Sequence, residues 1–360
     1  MKKAALAMIL CMLICAGVSS FSTPAQAATS RINVATGFSL GHPVMRRVLL
    51  PWADEVRRRT GGRVDMRFFN PGVMLQEREH FNAVRNGEPG AGHGLVSASQ
   101  GRLMITGLMD MPSVMTNCLA ASEAFWRLYT ASPEIQAEFS GIKVLAMHAS
   151  APYQLNMAKS NVMAAQDFKN QKLLTTPGGD SARFLRALGF NPLMTPAQDF
   201  TISLSRGMAD GCLLPIDALR AAGLEENLSS ITVCNLRMDS YWLGINMDIY
   251  NALPPDAQRA LNELSGLELS LSIARVINDL NNLARAELTK EEITINELAP
   301  EERSRWLELG LTPLRDNWQA QLKRRQLGNA AEIWSRAQGI FRDCQAKWGS
   351  RTSQQINPAN

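Results

Sequence analysis

Histidine is scarce in this 360-residue chain: there are four, His42, His80, His93 and His148. None stands at metal-ligand spacing from another histidine or a cysteine, which excludes the common zinc patterns. No strand leads into GxGxxG, no Walker-type run occurs and no serine sits in GxSxG, so the usual phosphate cradles and the hydrolase elbow are missing. Six cysteines include no CxxC pair, which disfavours thioredoxin-type chemistry. Neither charge sign dominates, with 37 Lys and Arg against 33 Asp and Glu, so nothing favours nucleic acid or an acidic membrane as partner. After the first segment no apolar stretch is long enough to span a bilayer. No nucleophile–base pair or metal cluster supports an enzyme, and no cofactor is expected. Binding requires only a cleft with a few converging groups.

The N-terminus does carry a pattern. Lys2 and Lys3 precede a nearly unbroken apolar run from Ala4 to Val18, and Ala25-Gln26-Ala27 supplies a small-x-small cleavage signal. That order reads as a secretory signal peptide over residues 1–27, and the expected location is the periplasm. Cleavage leaves 360 − 27 = 333 residues, enough for two domains, with a charge of 35 − 33 = +2 once the two lysines are removed. Cys118, Cys212, Cys234 and Cys344 remain. They form up to two disulfides in an oxidising compartment, or stay as buried free thiols; Cys212–Cys234 is the preferred pair if one forms.

Strands and helices alternate along the chain. Ser30 to Thr36, Arg63 to Phe69, Gly90 to Ala98 and Ile142 to His148 read as strands. Between them a helix opens at His42-Pro43, with Pro51 as an irregularity and Gly61-Gly62 as its stop, and further helices cover Gln76 to Arg85 and Ser122 to Thr130. A second block repeats the theme with strands at Lys172 to Thr176, Asp210 to Leu214 and Tyr241 to Asn246, and helices at Asp180 to Leu188 and Pro196 to Arg206. Pro254-Pro255 then launches an apolar-faced helix from Asp256 to about Glu291. At about 36 residues it would span roughly 54 Å, long enough to brace two domains. The alternation predicts an α/β fold with largely parallel sheets.

Three runs give this pattern a family likeness. The first is Thr60-Gly61-Gly62-Arg63-Val64 followed by Phe68-Phe69-Asn70-Pro71-Gly72-Val73-Met74-Leu75-Gln76-Glu77. The second joins Ala187-Leu188-Gly189-Phe190-Asn191-Pro192-Leu193-Met194 to Leu204-Ser205-Arg206-Gly207-Met208-Ala209-Asp210-Gly211. The third is Asn246 with Leu253-Pro254-Pro255-Asp256-Ala257-Gln258. In this order and spacing the chain resembles the solute-binding subunit of tripartite ATP-independent periplasmic (TRAP) transporters, the DctP-like family. The resemblance implies a two-lobed α/β periplasmic binding protein fold with a hinge and a long helix spanning both lobes. Lobe one would be residues 28–150 plus 240–283, and lobe two 151–239 plus 284–360. It implies a small organic solute, by default an organic acid, membrane permease subunits as partner, and a monomer or homodimer.

One departure stands out. The family holds its ligand's carboxylate through an arginine whose fork makes two parallel bonds. Counting back from Ala187-Leu188-Gly189 puts Leu174 at that position, and counting from Pro177 puts Thr175 there. Neither is a cation. The other positions implied for the pocket are Phe38, Glu77, His93, Leu95, Tyr153, Leu214 and Trp242. Such a cleft would be apolar and aromatic, suited to an aromatic or weakly polar ligand. Lys172 is a candidate substitute cation or a solvated strand-start lysine; Arg183 and Arg186 read as helix-surface charges. On this expectation Leu174→Arg would create carboxylate affinity. A sensor subunit docking on a signalling receptor is the alternative function.

Overall fold

The computed structural model describes residues 29–99, 101–176 and 180–349. The expected signal peptide lies outside them.

Eleven strands among the described residues form two sheets. The first contains β1 (Ser30–Thr36), β2 (Val64–Phe69), β3 (Ala91–Leu95), β4 (Ile142–Ala149) and β10 (Ser240–Asn246), in the order β2-β1-β3-β10-β4. The second contains β5 (Tyr153–Met157), β6 (Lys172–Thr175), β7 (Asn191–Met194), β8 (Gly211–Pro215), β9 (Ser230–Val233) and β11 (Thr294–Glu297), in the order β11-β9-β5-β8-β6-β7. Each sheet carries one strand antiparallel to both neighbours: β10 between β3 and β4, and β5 between β8 and β9. These are the strands reached by crossing over. The chain passes from one sheet to the other through residues 150–152 and back through residues 234–239.

Local chemistry explains most element ends. Thr60 turns its hydroxyl back onto the Val56 carbonyl (2.8 Å), and Gly61 and Gly62 then take positive φ that residues with a Cβ adopt with strain. Pro51, which has no N–H, is absorbed by a π turn over Met45–Leu49, so Leu50 donates to the Met45 carbonyl instead of kinking the helix. Asn246 links distant segments. Its side-chain oxygen accepts from the N–H groups of Asp248 and Ile249, and its amide donates to the carbonyls of Val84 and Arg85, all at 3.0–3.1 Å.

The helix expected from Asp256 to about Glu291 is two helices, Pro255–Glu263 and Leu267–Leu288. The break at Leu264–Gly266 is fastened from both sides. The Trp52 indole donates to the Leu264 carbonyl (3.0 Å), and Gly266 N–H donates to the Leu145 carbonyl in β4 (2.6 Å). Gly266 sits at φ 83°, and a Cβ there would lie 3.2 Å from the Trp126 ring. The second helix, 22 residues and so about 33 Å long, still joins the two lobes. Its residues from Leu269 to Ile277 pack in the core of the first sheet, and Ala284 and Leu288 pack on the second.

Two further helices, Pro300–Arg325 and Ala330–Trp348, complete the chain. The 26-residue one begins on the second lobe, where Trp306 packs edge-on to Phe168 (4.6 Å) and Gly310 lets Phe184 close in. Its far end and the last helix belong to the first core through Trp318, Leu322, Phe341 and Trp348. Residues 330–348 therefore pack on the first lobe, although the family likeness grouped them with the second.

All four described cysteines are free and buried. Cys212 lies in the core on one face of the second sheet and Cys234 in the core on the other, so the preferred pair does not form.

Gly266→Ala should destabilise the protein by about 1–3 kcal/mol, because the φ and the Trp126 contact both oppose a Cβ. Urea unfolding monitored by circular dichroism measures this; an unchanged midpoint would mean the helix break is not structurally required.

Candidate functional site

A cavity of about 600 Å³ opens between the two sheets. Phe38, His42 and Tyr241 come from the first lobe, Ser150 and Asp239 from the crossing segments, and Tyr153, Leu214 and Asp217 from the second lobe. Ile277, Leu280 and Leu283 of the 22-residue helix form one side.

The first-lobe wall is aromatic. Phe38 stacks on His42 with ring centres 4.4 Å apart and lies 5.2 Å from Tyr241. Tyr241 in turn stacks on His148 (4.9 Å, 1°) and His93 (5.5 Å, 11°), which flank it from β4 and β3. The two imidazoles meet Nε2 to Nε2 at 2.9 Å, and His93 Nδ1 lies 3.1 Å from Thr36 Oγ1. One proton assignment gives each contact a donor. Thr36 Oγ1–H donates to His93 Nδ1, His93 Nε2–H donates to His148 Nε2, and His148 Nδ1–H donates to the Ala149 carbonyl (3.4 Å). Every member of that chain is neutral. Burial pushes both imidazoles down, His148 to about 3, and for His93 the neighbouring His148 adds to the effect. The chain also holds the Phe38 loop, because Phe38 N–H donates to Thr36 Oγ1 (3.1 Å) and Gly37 N–H to the His93 carbonyl (3.1 Å).

The inner end is ionic. Arg237, 4% exposed, pairs with Asp239 (2.5 Å), donates from Nε to the Asp110 carbonyl (3.2 Å) and donates from Nη1 to the Ser181 hydroxyl. Its guanidinium lies 4.9 Å over the Tyr153 ring, and the Tyr153 hydroxyl donates to the other oxygen of Asp239. Asp110 accepts from both the N–H and the hydroxyl of Ser240 at 2.6 Å, and burial raises its carboxyl well above the usual range. This cluster ties the crossing segment to Ser181 in one lobe and Asp110 in the other.

Two more charged groups face the cavity from the helix Ile216–Ala221. Arg220 is held by Glu225 (2.5 Å), Glu291 (2.9 Å) and Glu287 (3.4 Å). Burial raises the Asp217 carboxyl to about 6, against the opposite pull of the Ala218 and Asp217 N–H groups beside it.

Of the sequence-predicted site residues, the structure brings Phe38, Tyr153 and Leu214 together around the cavity. His93 stands behind Phe38, fully buried. Glu77 and Leu95 do not line the cavity; the Glu77 carboxylate accepts from Leu95 N–H (3.0 Å) and lies against Gly37. Trp242 points away from it, buried at 1% exposure edge-on to Phe81 and Phe139. Strand alternation is the reason: Tyr241 faces the cavity, so its neighbour faces the core. Leu174 is buried in the second lobe's core among Phe200, Leu204 and Ile231, so an arginine there would bury a charge instead of reaching ligand. Lys172 is exposed at the strand start, and Arg183 and Arg186 are exposed on their helix. Sequence reasoning missed Arg237, Asp239, Tyr241 and Asp217. The i, i+2 spacing of Arg237 and Asp239 on an extended segment puts them on one side, a signal that was available. Among the described residues no group of three or more His, Cys, Asp or Glu is arranged to hold a metal ion.

The model of bacterial extracellular solute-binding protein family 7, DctP, matches residues 34–320. The chain belongs to this family. This DctP-family protein is 25% identical over 270 residues to a solute-binding protein of Verminephrobacter eiseniae, covering 72% of this chain and 76% of the relative. Its fold is that of solved TRAP periplasmic solute-binding proteins. The Desulfovibrio salexigens protein superimposes with a TM-score of 0.80 at 21% identity, covering 92% of this chain and 100% of that one. A Bordetella bronchiseptica protein gives 0.74 at 24% identity, with 87% and 99% covered. This family is one of solute-binding proteins, and the cavity of this DctP protein lies between its two sheets.

Because the unfolded histidines take up protons near pH 6.5 and the native pair does not, the unfolded state binds more protons below that pH. The pair's contribution to stability is complete above about pH 6.5 and falls as pH drops towards about 3. His148→Asn should flatten this dependence, measured as urea midpoints between about pH 7 and 4.5. Equal slopes for variant and wild type would refute the neutral pair.

Proposed function

We propose that this protein captures a small solute with an aromatic or apolar body in the periplasm, closes its lobes over it, and delivers it to the membrane permease of a TRAP transporter. The carrying observation is the cavity itself. About 600 Å³ lies within the range of small-molecule sites, and its walls are Phe38, Tyr153, Tyr241, Leu214 and Leu280. The nearby guanidiniums are already paired, Arg237 with Asp239 and Arg220 with three glutamates. Stacking and burial are therefore the main sources of affinity. An aromatic ligand has a precedent in the fold, since the Bordetella protein was solved with (R)- and (S)-mandelate bound. The crossing segments at residues 150–152 and 234–239 act as the hinge, and secretion is the work of the N-terminal segment read as a signal peptide.

A thermal-shift screen tests this with aromatic and neutral probes against C4-dicarboxylates and sugar acids. Ligand at about 100 times its dissociation constant adds roughly 2.7 kcal/mol of stability, enough to raise Tm clearly. Aromatic probes should register, and Phe38→Ala should weaken them by about 0.5–1.5 kcal/mol, roughly three- to tenfold, through lost stacking. A response confined to dicarboxylates or sugar acids would overturn the aromatic reading.

A further inference from the structure

Most polar groups around the cavity are answered by the protein itself. Asp239 is held by Arg237 and Tyr153, Glu287 by Arg220, and the Ser150 hydroxyl donates to the Ala151 carbonyl (2.8 Å). His42 is different. Its Nδ1 accepts from Val44 N–H (3.2 Å), which puts the proton of the neutral ring on Nε2. That Nε2 has no partner among the described residues and is not closed off from solvent, on a ring that lines the cavity. Phe38 stacks on the imidazole at 4.4 Å and sets its plane. The Tyr241 hydroxyl is a second donor of this kind. It too lacks a partner among the described residues, and burial raises its pKa, which keeps it protonated.

Several elements bring titratable groups towards His42. His93 and His148 stand by Phe38 as neutral rings, Asp217 and Arg220 come from the helix Ile216–Ala221, Glu287 from the 22-residue helix and Asp239 from the crossing segment. Asp239 and Glu287 are paired with arginines, which leaves Asp217, on the second lobe, as the acid without one. On the helix of His42 itself, Arg46 and Arg47 are exposed and line a hollow of about 360 Å³ that shares Pro43 with the cavity. The first-lobe side of the opening is therefore the positive one. Burial lowers the pKa of His42, so the empty cavity holds it neutral near pH 7. A carboxylate at Nε2 reverses that balance, because its charge favours the imidazolium and makes the contact a charge-assisted hydrogen bond. Proton uptake then accompanies the binding of an acid and not that of a neutral alcohol.

We propose that His42 is the specificity-determining residue of the cavity, donating from Nε2 to the carboxylate of a small aromatic acid and taking up a proton as it does so, with the Tyr241 hydroxyl as second donor. The inference rests on the reading of the cavity as the solute site and deepens it. The ring of the ligand is held by the aromatic and apolar walls. Its polar end is read by an imidazole, since Arg237 and Arg220 are both engaged by the chain's own carboxylates. Such a receptor is tightest in mildly acidic medium, where a guanidinium would be indifferent to pH.

Isothermal titration of the full mature protein with benzoate, benzyl alcohol and succinate, at about pH 5.5 and about pH 8, tests it. Benzoate stays ionised over this range and should bind about tenfold more tightly at the lower pH, while benzyl alcohol changes by less than about threefold, a comparison that needs no variant. His42→Asn keeps an acceptor for Val44 N–H and removes the Nε2 donor. It should weaken benzoate about tenfold at the lower pH, abolish the pH dependence and leave benzyl alcohol within about threefold. Benzoate affinity that is flat with pH, unchanged in a folded His42→Asn protein, or still pH-dependent there through Asp217, overturns the role of His42 and leaves the aromatic cavity standing. Benzyl alcohol binding where benzoate does not has the same meaning. No response to either aromatic probe, whether or not succinate binds, overturns both readings.

Discussion

The buried ion pair between Arg237 and Asp239 is the constraint on which the site depends. A guanidinium at 4% exposure is tolerable only with its donors engaged, and here they reach Asp239, the Asp110 carbonyl and Ser181. Those partners come from both lobes and from the crossing segment itself. The pair therefore fixes the path by which the chain returns to the first sheet, and Asp239 then positions the Tyr153 hydroxyl at the inner end of the cavity. The carboxylate that the Arg237 guanidinium meets is Asp239 of the chain itself, so this arginine serves the crossing segment.

The aromatic wall follows from a second constraint of the same kind. Two imidazoles and a threonine hydroxyl cannot be buried beside Phe38 unless their polar atoms are answered. Thr36, His93 and His148 answer one another in a neutral chain that ends on the Ala149 carbonyl, one residue before the first crossing. Phe38 and Tyr241 are thereby held at fixed angles on a rigid backing. Preorganised rings lose little freedom when a ligand stacks on them, which is how a cavity with few polar contacts gains affinity.

The fold was largely legible because it is carried by local signals. Apolar alternation marked β1 and β10, and glycines marked helix ends at Gly61 and Gly189. The helix break at Gly266 was hidden, because its causes are Trp52 and Leu145, residues far away in sequence. The cavity was legible at Phe38, Tyr153 and Leu214 and illegible at Trp242 for a physical reason. A strand presents alternate residues to opposite faces, so an assignment displaced by one residue exchanges cavity for core. Trp242 for Tyr241 is that exchange. Asp217 and Arg237 escaped notice because burial and partner satisfaction, the features that distinguish them from surface charges, exist only once both lobes are assembled.

Solute held between the lobes at this cavity is tested most directly by anomalous diffraction from crystals grown with a brominated aromatic compound that registers in the thermal-shift screen. The account predicts a bromine peak between Phe38, Leu214 and Leu280, with the ring against Tyr241. A bromine peak elsewhere on the protein, with this cavity unchanged, would contradict it.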